Sequence, residues 1–375
     1  MKILYLSMDF CKYGNNSRSA ECYVAEEMAK EHEIIFVTKN NPLFKPLEKS
    51  SNLHIEVVEW EKEGLTNEEI KRINGYEYDV VYSTSITSVI LTSQLAKMKN
   101  AKCVIQVLDC PIYRLQQIER YKEWVDKWKS WVQELPQVDR IVCNHNTTLE
   151  VMKELSSLFG VNYSEKLRIV PYGIATFESD KIPEQKKLNQ IVFVSNLRFF
   201  KGLDIIIYAL AQLENKPLLK VVGVADGTEQ NMNSLYGPIP LRYVNLAFLA
   251  GVPTEFCGGL DDKEKYLIIK QSKLALLPLL TETIPSIFPL EAVYSGTPTI
   301  VSDTNINKEA YGSTVTYLNR FDTKLWATMI QEIMGNEEYD VTEQMKEFIS
   351  NHRSCKSHAE GLLQVFKEAL DGIAD

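Results

Sequence analysis

The 375-residue chain lacks the patterns that announce several large classes of protein. Its cysteines, at positions 11, 22, 103, 110, 143, 257 and 355, form no CxxC pair, and an odd, dispersed set suits reduced thiols rather than a disulfide framework. The histidines, at 32, 54, 145, 352 and 358, show no metal-ligand spacing, and His145 reads as a structural residue. Neither GxGxxG nor a P-loop occurs, so a nicotinamide enzyme or an ATPase would lack its phosphate cradle. There is no basic patch to hold nucleic acid: up to Thr176 there are 22 basic and 24 acidic residues, and beyond it 19 and 26. No uncharged apolar run is long enough to span a bilayer, and the short apolar run to Leu6 is interrupted at Asp9, too soon for a signal-peptide core. The expectation is a cytoplasmic protein, at most resting on a membrane surface.

What is present is an alternation of apolar strands with helical-period segments, the pattern of doubly wound parallel sheets. Lys2–Met8, Glu33–Thr38, Leu53–Val58, Val80–Ser83, Cys103–Leu108, Arg140–Cys143 and Leu167–Val170 read as strands of one Rossmann-like domain spanning residues 1–176. The charged stretch Glu178–Asn189 reads as a linker. A new strand, Gln190–Val194, opens a second α/β series over residues 177–340, and 341–375 reads as a terminal helical segment. Between Arg114 and Glu134, Leu115, Ile118, Val125, Trp128 and Val132 keep helical spacing, with Trp124 and Trp131 beside them. That stripe suits a core face, or alternatively an acceptor-side or membrane-edge helix.

Two segments of the second half carry chemistry. Asn196, Arg198, Lys201 and Gly202 follow the apolar run Ile191–Val194 and precede a helix, so two cations lie where the chain turns. Gly202 lets the backbone approach closely, and a helix N-terminus favours anions, so Lys201 suits a phosphate and Arg198 could grip a diphosphate bidentately. The second segment follows Leu274–Leu277 and runs from Pro278 through Glu282, Pro285, Ser286, Ile287, Phe288 and Glu291 to Gly296 and Pro298. In open α/β sheets ligands bind beyond the carboxyl ends of the strands, so both loops should face one crevice. Each residue also has a plainer reading: Lys201 as a solvated cation, Arg198 paired with a surface carboxylate, Asn196 as a turn cap, Glu291 as a helix N-terminal carboxylate.

These segments resemble the signatures of the retaining glycosyltransferases of family 4, which have the GT-B fold of two Rossmann-like domains facing a cleft. The likeness is good at Asn196, Arg198, Lys201 and Gly202, and good at Pro278, Glu291, Gly296 and Pro298. It is irregular between, because Glu282 and Glu291 enclose eight residues, one more than the family spacing, which Thr283 would satisfy. The resemblance implies a C-terminal helix crossing back to the first domain and transfer of a sugar from a nucleotide-diphosphate donor, UDP- or GDP-linked, to an acceptor hydroxyl with retention. It implies Glu291 on the ribose, Lys201 and Arg198 with Asn196 beside them on the diphosphate, backbone N–H groups of Ser286, Ile287 and Phe288 on the phosphates, and Glu282 against the sugar.

In the first domain the resemblance makes Asp109 a second catalytic candidate, though a turn-forming Asp before Cys110 and Pro111 is an equal reading. The loop from Gly14 to Ser19 would face the phosphates or the acceptor. No Asp-x-Asp is present and no cofactor or metal is expected; the acceptor would be a glycan, a lipid-linked group or a protein. A GT-B-like nucleotide- or glycan-binding protein without turnover is the competing reading.

Overall fold

The apolar runs of the N-terminal half assemble into a seven-stranded sheet in this computed structural model, which describes residues 1–7, 16–39, 51–58, 60–61, 64–108, 121–225, 231–234, 237–280, 285–336 and 339–372. The strands are β1 (Lys2–Ser7), β2 (Glu33–Lys39), β3 (Leu53–Val58), β4 (Val80–Ser83), β5 (Lys102–Val107), β6 (Arg140–Cys143) and β7 (Leu167–Ile169). They pair in parallel in the order β3-β2-β1-β4-β5-β6-β7. A parallel sheet is covered by helices on both faces, so its strands are continuous apolar runs rather than alternating ones. Ile3–Leu6, Ile34–Val37 and Val80–Tyr82 are accordingly all buried.

The second half repeats the plan with six strands: β8 (Leu188–Val194), β9 (Leu218–Val222), β10 (Thr254–Gly258), β11 (Ser272–Leu277), β12 (Thr299–Ser302) and β13 (Thr316–Leu318). Their order is β10-β9-β8-β11-β12-β13, again parallel. The chain winds outward from β8 through β9 to β10 and then crosses to the other side of β8. The topological switch point therefore lies between β8 and β11, and ligands of open α/β sheets bind at such a point, beyond the carboxyl ends of the strands.

The chain divides into two units, residues 1–173 with 355–375, and residues 174–354. The stretch expected to be a linker is built into the second unit. Thr176–Asp180 is helical, Ser179 Oγ lies 2.8 Å from Ser295 Oγ, Ile182 is buried, and Lys270 Nζ donates to the Ile182 carbonyl at 2.7 Å. Its surface charges conceal these inward contacts. The terminal segment is divided as well, and not at Val341. The helix Glu343–His352 belongs to the second unit, where it packs on the helix Phe288–Tyr294. The helix Cys355–Asp371 belongs to the first, against Asn16–Ala29, with Phe366 5.3 Å from the Tyr82 ring. Gly361 is needed there, because a Cβ would come within 2.7 Å of Val170.

The Trp-rich stripe falls on the helix Tyr121–Glu134. Trp128 and Val132 are buried in the core of the first unit, and Trp131 packs on Trp128 with ring centroids 5.5 Å apart. Leu115 and Ile118 and the side chains of Trp124 and Val125 lie outside the described residues. Where it is described, the stripe is a core face.

Candidate functional site in the second unit

The cationic loop leaves β8 at Val194. The Leu197 N–H donates to the Val224 carbonyl at 3.0 Å, and the Arg198 N–H closes back on the Asn196 carbonyl at 2.9 Å. Asn196 is exposed and shapes this turn, whereas Leu197 is buried and anchors it. Arg198 and Lys201 sit on one aromatic ring: the guanidinium carbon lies 5.8 Å and the Lys201 Nζ 5.5 Å from the Phe200 centroid. Gly202 then adopts φ +76° as the chain enters the helix Leu203–Ala211.

The close approach that Gly202 permits is to the other signature segment. A Cβ there would stand 1.9 Å from the Pro278 carbonyl oxygen, and the Leu280 N–H donates to the Phe200 carbonyl at 2.9 Å. A third loop joins them, since a Cβ on Gly223 would stand 1.7 Å from the Ser195 carbonyl oxygen. Loops after β8, β9 and β11 thus lock together at the switch point through backbone contacts that a larger side chain would break.

Burial lowers the Lys201 pKa to about 8, and repulsion from Arg198 adds to the effect. Two cations held close together, one of them partly stripped of water, make a place where a ligand anion is favoured. The sign of the resulting pH dependence is definite. In the free protein Lys201 loses its proton near pH 8, well below its ordinary 10.5, so the unfolded chain binds more protons in that window and stability rises with pH between the two values. A bound diphosphate favours the charged form and raises the pKa, so binding takes up a proton. The dissociation constant of a nucleoside diphosphate should therefore climb as pH rises above 8, approaching tenfold per pH unit. Titration calorimetry between pH 7 and 9.5 in buffers of different ionisation enthalpy reads both effects; a flat profile without proton uptake would place Lys201 away from the phosphates.

The carboxylate segment rises from β11 to the helix Phe288–Tyr294. Glu282, with its neighbour Thr283, lies outside the described residues. Ser286 and Ile287 are half-buried at the helix entry, where the Ser286 carbonyl accepts from the Tyr311 hydroxyl at 2.7 Å. The Phe288 N–H donates to Ser286 Oγ at 3.3 Å, and its side chain is fully in the core.

Glu291 is almost wholly buried. Its Oε1 accepts from Lys265 Nζ at 2.9 Å and from the Tyr266 hydroxyl at 3.2 Å, while Oε2 has no hydrogen-bond partner among the described residues. A buried ionised oxygen without a donor is costly, and such an atom marks a place where a ligand group completes the bonding. Sequence reasoning missed Lys265 and Tyr266, which sit in a run of charged residues that reads as a solvated helix face. A usable signal existed. The capping box of Asp261 and Glu264 fixes where the helix Asp262–Gln271 begins, and from that phase Lys265 falls four residues before the buried Ile269, on the inward face.

In the first unit, Asp109 and Gly14 lie outside the described residues, and Ser19 is in the helix Asn16–Ala29 with its side chain outside them. The carboxyl edge of that sheet is polar and buried, with Ser7, Thr38, Thr84, Asn144 and His145 all largely shielded from solvent. Glu21, also buried, accepts a hydrogen bond from Ser7 Oγ.

Residues 175–354 match the family model described as glycosyl transferases group 1. No curated protein matches the chain. Among solved structures, HepE of Anabaena in complex with UDP and glucose superposes with a TM-score of 0.77 at 13% identity, over 97% of this chain and 99% of that one. The sucrose-phosphate synthase of Thermosynechococcus elongatus gives 0.74 at 14% identity over the whole of both chains. A glycosyltransferase from Rickettsia africae gives 0.68 at 15%, over 99% and 100%. At such identities the likeness is one of fold, and the fold is GT-B. The second unit, which holds the locked loops and Glu291, is the part that matches the glycosyltransferase family, and fold and match together support glycosyl transfer.

Proposed function

We propose that the chain is a retaining, metal-independent glycosyltransferase of the family 4 type, which moves a sugar from a nucleotide-diphosphate donor to an acceptor hydroxyl. The observation that carries this reading is the junction of three elements at one switch point: a cationic loop, the carboxylate segment bonded to it through Leu280 and Phe200, and Glu291 with one open buried oxygen. An ionised carboxylate with a free oxygen suits ribose hydroxyls, which are neutral donors. Arg198 and Lys201 then take the diphosphate. As the glycosidic bond breaks, negative charge grows on the leaving phosphate, and cations already in place stabilise it without reorganising. That role is one a divalent metal would otherwise fill, which is why turnover should survive chelation.

Retention is assigned from the signature residues, with Glu282 placed against the sugar and Asp109 as the first domain's contribution. HepE has been captured with UDP and glucose and with UDP-glucose, which favours a uridine donor. The acceptor is a glycan, a lipid-linked group or a protein, reached from a cytoplasmic location.

The test is a thermal-shift screen of UDP-, GDP- and ADP-sugars in the presence of EDTA. Ligand binding to the native state raises stability by about 2.7 kcal/mol at a hundred times the dissociation constant, a shift of several degrees for domains of this size. One nucleotide family should stabilise the chain and the others should not. No shift with any of them, with or without Mg²⁺, would overturn the reading.

A further inference from the structure

Lys265 is an unusual residue to find inside a protein. It is almost fully buried, and its ammonium lies 2.9 Å from Asp262 Oδ1 and 2.9 Å from Glu291 Oε1, over the face of Tyr266 at 4.5 Å. Burial alone would drive its proton off, yet the two carboxylates outweigh burial and hold the pKa above its ordinary value. The cluster contains two carboxylates and one ammonium. Asp262, at 22% side-chain exposure, keeps contact with water, whereas Glu291, at 3%, does not. Among the described residues, the side-chain donors that reach Glu291 arrive at Oε1: the Lys265 ammonium at 2.9 Å and the Tyr266 hydroxyl at 3.2 Å, which also stands 3.4 Å from the Ala175 carbonyl. Oε2 is left buried with no donor among the described residues.

We propose that Lys265 and Tyr266 are positioning residues for the donor nucleotide: by saturating Oε1 they hold the Glu291 carboxylate in one orientation, with Oε2 alone presented to a ribose hydroxyl. The inference rests on the reading of Glu291 as the ribose ligand. Two consequences follow from the arrangement. A carboxylate clamped at one oxygen has little rotational freedom, so the hydroxyl it meets finds a preorganised acceptor. Removal of the ammonium leaves a buried carboxylate without its counter-charge and without its clamp, so the acceptor is no longer preorganised for the hydroxyl. Lys265 thereby acts on the sugar of the nucleotide without touching it.

The test compares UDP with 2′,3′-dideoxy-UDP by titration calorimetry, with the guanosine pair run alongside, on the wild type, Lys265→Met and Tyr266→Phe. A hydrogen bond to a charged group predicts that the wild type prefers the hydroxylated nucleotide by about tenfold or more. In Lys265→Met the preference should shrink below about threefold while affinity for the dideoxy nucleotide stays close to that of the wild type. A purely structural lysine would lower the melting temperature but leave the preference of the folded protein intact, and that result overturns the proposal. Tyr266→Phe keeps the ion pair and removes only one donor to Oε1, so it decides the matter should Lys265→Met not fold: an intermediate preference supports the proposal, and one equal to the wild type overturns it. A wild type that binds these nucleotides with no preference at all, or binds none, removes the assignment of Glu291 itself, an outcome distinct from loss of the lysine's role alone.

Discussion

Lys201→Ala should weaken binding of the cognate nucleoside diphosphate by about ten- to a hundred-and-fifty-fold, while nucleoside affinity changes by less than about twofold. The range corresponds to about 1.5–3 kcal/mol for a charge-assisted contact, here made from a group already partly desolvated and so facing little further cost on binding. The same substitution should not destabilise the fold. Lys201 is held close to Arg198 on the Phe200 ring, and burial together with repulsion from Arg198 disfavours its charge. A variant that melts no lower than the wild type yet loses diphosphate affinity separates binding from folding. Calorimetry with UDP, GDP and the parent nucleosides, beside a melting curve, makes the measurement. Equal losses for nucleoside and nucleotide would show that the loop merely shapes the unit.

Glu291→Gln and Glu282→Gln should fail in different ways. Glu291→Gln should weaken the nucleotide by about 1.5–3 kcal/mol, and it should also lower stability, because Lys265 is left buried with only the partly exposed Asp262 to balance it. Breaking one side of a buried ion pair costs about 3–5 kcal/mol, which makes this the larger structural effect of the two. Glu282→Gln should depress turnover with nucleotide affinity nearly intact, since the proposed contact is to the transferred sugar. The register is decided by comparing it with Thr283→Ala. Normal turnover in Glu282→Gln with impaired turnover in Thr283→Ala would hand the sugar-facing position to Thr283 and make Glu282 a solvated loop residue.

The sheets were legible because parallel strands covered on both faces are unbroken apolar runs. Val80–Ser83 and Arg140–Cys143 fall on the residues where composition put them, and so does the edge strand Leu53–Val58, although His54 and Glu56 interrupt its apolar run. The cationic loop was legible for a similar reason, since a strand, two cations and a glycine before a helix form a short local pattern. The partners that complete the site were not. Lys265 and Tyr266 come from a helix far from Glu291 in sequence, and only the packing of that helix against β8 and β11 brings its charged face inward. Gly202 was read as room for a ligand, whereas the room is taken by the Pro278 carbonyl, a long-range contact that no local pattern encodes. The division of the terminal segment at Ser354 escaped notice because Glu343–His352 and Cys355–Asp371 are both amphipathic, and amphipathicity does not say which unit receives the apolar face.

The central claim is that this site turns over a nucleotide sugar rather than only holding a nucleotide. The most direct measurement is NMR of the wild-type chain incubated with each stabilising UDP-, GDP- or ADP-sugar in EDTA, following both consumption of the donor and the anomeric signal of the sugar first released or transferred. The account predicts that one donor is consumed without metal and that its sugar emerges with the anomeric configuration it had in the donor. A donor that binds and stabilises the chain yet remains intact, or a product of inverted configuration, would contradict it.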